Sequence, residues 1–239
     1  MLKNKKVMTA IAAGVLVVAG IVFLAVESAG GSIDVIGKKS VQSYEMVINA
    51  IPDQVRKDEE GKGFTLTAPD GSVRFTWSSG NDENSRYDVK LQADAAPFIA
   101  AGLDTGKLPA DYDVSDDLIT VGVKLKEGGS ADTQESALSA YEGLVKNDRS
   151  LINYHGVMDH FGVKLGGGNM FEWAKDLETS ASTGKTQDKD IVFVLEPEPL
   201  IAAGVDPEKV EGWIYAPVTV MEHGKKMQVN KFLKPFDIK

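Results

Sequence analysis

The chain of 239 residues contains no cysteine and only three histidines. Without cysteine there is no disulfide, no thiolate nucleophile and no zinc–thiolate site. Positive charge is also scarce, because 26 Lys and Arg stand against 35 Asp and Glu, for a formal net charge of -9. An acidic surface repels phosphate backbones, so we expect no nucleic-acid partner.

The sequence also lacks the common signatures of catalysis and cofactor binding. It contains no GxSxG elbow of a serine hydrolase. The glycines at 166–168 fall in a predicted hairpin, and STGKT at 182–186 lacks the upstream glycine of a phosphate-binding loop. We therefore expect neither a cofactor nor an enzyme.

The longest apolar stretch lies near the N-terminus. Residues 7–26 contain no charged side chain and follow Lys3, Lys5 and Lys6. Twenty helical residues span about 30 Å, the thickness of the hydrocarbon core. The positive-inside rule then predicts a single-pass anchor in the lipid bilayer, with everything after Val26 outside the cell. A cleaved signal peptide is the alternative, and it would make the protein secreted.

Two segments about a hundred residues apart have nearly the same amino-acid sequence. PFIAAGLD occupies residues 97–104, and PLIAAGVD occupies residues 199–206. The motif FxW is also repeated, as Phe75–Trp77 and Phe171–Trp173. A turn sequence precedes each FxW pair, which predicts two β-hairpins. We interpret the chain as a tandem duplication whose repeated residues serve the scaffold.

The predicted fold class is α+β: an N-terminal transmembrane helix followed by a tandemly duplicated helix–β-hairpin–strand–helix–strand unit. The helix of each unit is predicted at 43–51 and 153–161, where apolar residues recur at i, i+3, i+4 and i+7. The predicted parts are a cytoplasmic tail (1–6), an anchor (7–26), a linker (27–42), a first repeat (43–125), a connecting helix (126–152) and a second repeat (153–239).

One cluster could support metal chemistry in the second repeat. His155 and Asp159 would share a face of the predicted helix, and His160 lies beside them. The two histidines are five residues apart, however, so a helix would direct them apart rather than at one ion. The alternative interpretation is the polar edge of an amphipathic helix.

A second weak metal candidate is the acidic stretch DYDVSDD at 111–117. Asp111 and Asp113 alternate with other oxygen-bearing side chains, as at the start of a calcium loop. The position that requires glycine is Asp116, and the position that requires a bidentate acid is Gly122. An acidic turn in solvent explains the stretch equally well.

The aromatic residues offer one further possible contact. Trp213 and Tyr215 are two residues apart on the last predicted hairpin, so a strand would present both on one face. We predict that this pair, rather than the two FxW pairs, is an exposed aromatic contact.

Together these features predict a membrane-anchored extracytoplasmic protein of the bacterial cell surface. It would act non-catalytically as a binding or assembly module with a protein or cell-wall partner. The alternative is a surface hydrolase or metal-dependent enzyme that uses His155, Asp159 and His160. Assembly through small residues of the apolar stretch is a third hypothesis.

Overall fold

The computed structural model describes residues 33–58, 62–126, 136–155, 160–174, 191–222 and 225–236. Its helices are α1 (Val35–Ala50), α2 (Ala96–Ala100), α3 (Ala137–Asn147) and α4 (Pro197–Ala202). Single turns of 3-10 helix lie at Pro52–Gln54, Thr105–Lys107, Arg149–Leu151 and Pro207–Lys209.

Six strands of the first repeat form one antiparallel sheet. They are β1 (Val55–Lys57), β2 (Phe64–Thr67), β3 (Val73–Trp77), β4 (Val89–Asp94), β5 (Asp113–Ser115) and β6 (Leu118–Val123). Their order in the sheet is β1-β2-β3-β4-β6-β5. Apolar residues alternate with polar ones along β4, which buries one face of the sheet and leaves the other polar.

The second sheet repeats this topology. Its strands are β7 (Ile152–His155), β8 (His160–Lys164), β9 (Met170–Ala174), β10 (Ile191–Leu195), β11 (Ile214–Glu222) and β12 (Lys225–Phe236). Read from the other edge, their order is β7-β8-β9-β10-β12-β11, so each strand has a counterpart at the same place in the first sheet. Helices α1 and α3 precede the two sheets, and α2 and α4 follow β4 and β10.

The two repeats share one core. The ring of Phe75 stacks on Phe171 with centroids 4.2 Å apart. The ring of Tyr44 on α1 lies 4.1 Å from that of Tyr141 on α3. Each FxW tryptophan also bonds to the other repeat: Trp77 Nε1 donates to the Ala137 carbonyl at 3.1 Å, and Trp173 Nε1 donates to Ser43 Oγ at 3.0 Å. The repeats are therefore packed face to face.

The two IAAG segments meet at the interface between the repeats. Asp104 N donates to Ala203 O at 2.9 Å, and Asp206 N donates to Ala101 O at 2.8 Å. Gly102 and Gly204 both have φ +106°, and a Cβ on either would lie 2.8 Å from the carbonyl oxygen of the other. Glycine is required at both places because the two backbones touch and the conformation is left-handed.

The predicted α+β class is wrong, because the described residues are mostly β and form two six-stranded antiparallel sheets. The error is clearest at 153–161, predicted as a helix, where β7 and β8 form a hairpin. Tyr154 and Phe161 are Cα partners across it, and their rings stack at 4.9 Å. The apolar residues that mimic a helical stripe are thus a cross-strand pair.

The helix predicted within 126–152 is present as α3. It begins with a reciprocal cap in which Ser139 N donates to Ser136 Oγ and Ser136 N donates to Ser139 Oγ. In the second repeat α3 occupies the place that α1 occupies in the first, so it is the opening element of a repeat.

Within the described ranges, no helix combines the length and the apolarity needed to cross a membrane. The prediction of a transmembrane helix is therefore wrong for this part of the chain. Residues 7–26, on which that prediction rested, lie outside the described residues.

Candidate functional site

The outward face of the first sheet forms a concave polar surface, which we call the polar face. It encloses a volume of about 900 Å³. Its floor consists of side chains from β2, β3, β4 and β6, and the loops before β2 and β4 form the rim. The floor residues are Thr65, Thr67, Arg74, Lys90, Gln92 and Thr120.

Strand alternation produces this surface. On β3, Val73, Phe75 and Trp77 enter the core, so Arg74 lies on the opposite face. On β4, Val89, Leu91 and Ala93 are buried in the same way, and the residues between them face outward. The core that joins the two repeats therefore also fixes the direction of the polar side chains.

Hydrogen bonds hold the floor in place across neighbouring strands. Thr65 Oγ1 and Thr76 Oγ1 are 2.8 Å apart. Arg74 Nε donates to Gln92 Oε1 at 3.0 Å, and Gln92 Nε2 donates to Thr120 Oγ1 at 3.2 Å. This chain of bonds orients the Arg74 guanidinium in advance of any ligand.

Ion pairs neutralise much of the rim. Lys62 Nζ lies 2.8 Å from Asp82 Oδ2, and Arg86 lies 3.5 Å from Asp113. The hydrogen bond from Lys62 is the main cause of the lowered pKa of Asp82. Both pairs join a cation to an acid on the same rim, so they add no net charge to the polar face.

Four cations of the polar face stand outside these pairs: Arg56, Lys57, Arg74 and Lys90. Within the described ranges, Arg56 and Lys90 have no ion-pair or hydrogen-bond partner, and the recorded bond of Arg74 is to a neutral amide. Arg56 and Lys90 lie in one cross-strand row through Thr65 and Thr76, separated by three strand spacings. At about 4.8 Å per strand they are roughly 14 Å apart, and Arg74 lies about 8 Å diagonally from Lys90.

Acidic residues also line the concavity but belong to its rim. Asp53 follows α1, Asp58 follows β1, and Asp116 lies in the turn between β5 and β6. The cations of the floor therefore face ligands from the centre of the sheet, and the acids limit what can approach from the sides.

A tyrosine closes one end of the polar face. Tyr87 Oη donates to the Asp111 carbonyl at 2.7 Å, and the guanidinium carbon of Arg86 lies 5.0 Å from the centre of the Tyr87 ring. Partial burial raises the pKa of Tyr87, so it stays protonated as a donor at neutral pH.

The outward face of the second sheet has different chemistry. Its buried residues form a separate apolar cluster: Val192, Val194, Ala216, Val218 and Leu233. Glu172 is also buried on this face, with 6% of its surface exposed. Burial raises the pKa of Glu172 to about 7, although a hydrogen bond from Asn153 and the charge of Lys231 oppose the rise.

The histidine candidates lie in the second repeat, away from the polar face. His155 ends β7 and His160 begins β8, where they are Cα partners across the hairpin. Burial lowers the pKa of His155. Asp159 lies outside the described residues, so the proposed trio is placed only in part.

Of the acidic candidates, Asp113 is the first residue of β5 and Asp111 lies two residues before it. Asp113 lines the polar face and pairs with Arg86, and it also accepts a hydrogen bond from Ser115 Oγ at 3.3 Å. The described ranges contain no group of three His, Asp or Glu side chains that could hold a metal ion.

The aromatic candidates lie at the start of the last hairpin. Trp213 is 6% exposed, and its ring lies 5.5 Å from Phe98 in the core. Tyr215 is partly buried, packs on Phe232 at 5.2 Å and accepts a hydrogen bond from Asn230. The Trp213 ring is thus a core contact between the repeats rather than an accessible platform.

Sequence reasoning did not single out Arg74, Lys90 or Gln92. A signal for them was present, because they alternate with buried residues in VRFTW and VKLQAD. Alternation predicts that they face outward together, but only the strand order shows that they share one surface.

Comparison of this chain with protein-family models, with curated proteins and with solved structures found no match.

Proposed function

We propose that this protein is a non-catalytic binding module whose ligand is an extended anionic polymer. The observation that carries the proposal is the polar face, where Arg56, Arg74 and Lys90 stand among hydroxyl and amide groups in a chain of net charge -9. Six basic residues and five acidic ones line this concavity, so it is slightly cationic in an acidic molecule, which favours an anion there.

The spacing of these cations favours a polymer over a small ion. These backbone separations of roughly 8 to 14 Å form an extended row, which offers a polymer more contacts than a single phosphate or carboxylate would make. A chain that carries charged groups at intervals can contact the cations one after another. The intervening threonines and Gln92 can bond to hydroxyl groups of the same chain, as in a polysaccharide or polyol phosphate.

The apolar stretch at 7–26 and the lysines before it support export. We infer that the chain acts outside the cytoplasmic membrane, where a cell-wall polymer is an available ligand. Protease digestion of intact cells tests this placement, and protection of the chain from added protease would contradict it.

Calorimetric titration of the full chain tests the ligand class. The probes are polyphosphate, polygalacturonate and, as an uncharged control, dextran. We expect binding of a charged probe that weakens with salt, because screening shortens the range of surface charges.

Arg74→Gln and Lys90→Gln should each weaken binding about tenfold, the loss of one charge-assisted hydrogen bond. Lys38→Gln is the matched control, since Lys38 is an exposed lysine on α1. Equal affinity in all three variants, or no binding of either charged probe, would contradict the proposal.

A further inference from the structure

One ion pair in the second repeat is more buried than the others. Lys231 Nζ on β12 contacts Glu196 Oε2, in the residue that follows β10. Their side chains are only 13% and 20% exposed. In every other described ion pair, one side chain is at least 36% exposed. We call Lys231 and Glu196 the buried pair.

Backbone pairing places these two side chains next to each other. Leu195 and Phe232 are the last Cα partners of β10 and β12, which run antiparallel. Glu196 and Lys231 are the next residue on each side, so they lie opposite each other and on the same face of the sheet. The sheet itself therefore holds the amino group and the carboxyl together.

The surroundings of the buried pair on the sheet are apolar. Val194 precedes Glu196 by two residues, and Leu233 follows Lys231 by two, so both share the outward face with the pair. Ala216 is the Cα partner of Lys231 on β11. All three belong to the buried apolar cluster of this face. Two charges are thus placed where water is largely excluded.

The neighbouring turn makes room for both groups and orients one of them. Gly168, with φ +87°, has no side chain, and a Cβ there would collide with Glu196 Oε2 and lie 3.1 Å from Lys231 Nζ. The backbone of Glu196 is fixed as well, because its N donates to Asn169 Oδ1 at 2.9 Å. Asn169 is 3% exposed. The carboxyl therefore lies over the glycine, against the amino group.

Burial favours the neutral forms of these groups. Ionisable side chains in an apolar site lose hydration of the charged form, and mutual attraction repays that loss only in part. Burial lowers the pKa of Lys231, although the charge of Glu172 opposes the change. A neutral amine is a nucleophile, whereas an ammonium group is not. The buried pair can therefore present a reactive amine to a carboxyl.

We propose that an amide bond joins Lys231 Nζ to Glu196 Cδ, as an isopeptide cross-link within the chain. The neutral amine attacks Cδ of the protonated carboxyl, so that the N–C bond forms and the bond from Cδ to the hydroxyl oxygen breaks. That oxygen leaves as water with the carboxyl proton and one amine proton. The step needs no oxidant or other reactant, and the fold supplies the proximity.

The cross-link replaces two buried charges with one neutral amide and ties the last hairpin to the end of β10. The first repeat has no equivalent, because Asp94 matches Glu196 and its Cα partner is Leu118, which has no amino group. The bond lies in the second repeat, away from the polar face. It is therefore independent of the proposed function.

Peptide mapping of the full chain by mass spectrometry tests the proposal, with denaturation before digestion. Trypsin does not cleave after a lysine whose Nζ is part of an amide. The native chain should therefore yield a branched peptide, in which residues 190–209 are joined to residues 227–239 with the loss of one water. This product should replace the linear peptide 227–231.

Three variants assign the bond to its two side chains. Lys231→Arg keeps the positive charge, but a guanidinium group stays protonated, so we expect only linear peptides. Glu196→Ala removes the acceptor carboxyl and should give the same result. Lys209→Arg is the matched control, because Lys209 forms an exposed ion pair with Asp206, and it should retain the branched peptide.

Two results would overturn the proposal. One is a native chain that yields the linear peptide 227–231 and no branched peptide, an outcome that does not depend on how any variant folds. The other is a branched peptide that persists in Glu196→Ala, which would assign the bond to another carboxyl. Polyanion binding by a native chain without the branched peptide would leave the proposed function intact and remove the cross-link alone.

Discussion

The two repeats have the same inward faces and opposite outward faces. Inside, Phe75 stacks on Phe171, and Tyr44 lies against Tyr141. Outside, the first sheet bears the polar face and the second bears a buried apolar cluster. Duplication therefore preserved the residues that join the copies, and the faces that do not join them diverged. A site on a duplicated scaffold is expected on the face where the copies differ.

One position shows the divergence directly. Thr76 lies between Phe75 and Trp77, and Glu172 lies between the matching Phe171 and Trp173. Thr76 bonds to Thr65 at the polar face, whereas Glu172 is buried with one carboxylate oxygen lacking a hydrogen-bond partner. Both side chains are buried, so the same backbone place holds a hydrogen-bonded hydroxyl in one repeat and a carboxyl with an unsatisfied oxygen in the other.

The largest expected effect tests the shared core. Trp77→Ala and Trp173→Ala should each lower the free energy of unfolding by about 3–5 kcal/mol, because each opens a cavity in the core common to both sheets. Urea denaturation followed by circular dichroism should show one transition in both variants. Two separate transitions would mean that the repeats fold independently.

The next effect tests the outward face of the second sheet through pH. The pKa of Glu172 rises from 4.5 to about 7 on folding, so the folded state holds a proton that the unfolded state releases. Below pH 4.5 Glu172 is protonated in both states and should not change the free energy of unfolding. As the pH rises from 4.5 through 7, Glu172 should lower the free energy of unfolding by an amount that grows to roughly 3 kcal/mol.

Glu172→Gln should remove this dependence and unfold at higher urea than the native chain at pH 8. Glu198→Gln, on an exposed side chain of α4, is the control and should keep it. A native chain whose stability is flat between pH 5 and 8 would show that Glu172 is hydrated.

A smaller pair of effects tests the reciprocity of the repeats. Gly102→Ala and Gly204→Ala should each cost about 1–3 kcal/mol, and by similar amounts, because each Cβ meets the opposite carbonyl oxygen. Gly71→Ala is the control for φ alone, since it has φ +75° but no atom within 4 Å of the added Cβ. Equal thermal shifts in all three variants would remove the argument from close approach.

The smallest effect separates two tyrosines that look equivalent. Tyr141 Oη lies 2.7 Å from Ser40 Oγ, whereas Tyr44 Oη is buried without a hydrogen-bond partner. Tyr141→Phe should therefore cost about 1 kcal/mol, and Tyr44→Phe should be neutral or stabilising. Ala137 begins α3 at the place that matches Ser40, which explains the difference. Equal losses in urea unfolding would contradict this explanation.

Much of the duplication could be predicted from the repeated sequence motifs. Gly102 and Gly204 have to be glycine because each has a left-handed backbone conformation and contacts the carbonyl oxygen of the other. The same residue type therefore recurs at both places in the sequence. The secondary structure of residues 153–161 could not be predicted in this way. Tyr154 and Phe161 satisfy a helical period and a hairpin register equally well, and only pairing with β9 decides between them.

The polar face could not be predicted from the sequence, for a related reason. Arg74, Lys90 and Thr120 lie on three strands that are distant in sequence but adjacent in the sheet. Their types are ordinary for outward positions, and no spacing rule brings them together. His155 and Asp159, by contrast, were metal candidates because they are close in sequence. Closeness in sequence is a poor guide to closeness in space in a β fold.

The amino-acid sequence by itself determined the charge, the absence of thiol chemistry and the existence of two copies of one unit. These properties follow from composition and from local backbone demands that particular residue types must meet. Only the tertiary structure decided the fold class, the strand order and the surface that gathers the unpaired cations. Those depend on pairing between distant segments, where the hydrogen bonds and the buried area are gained only once the strands meet.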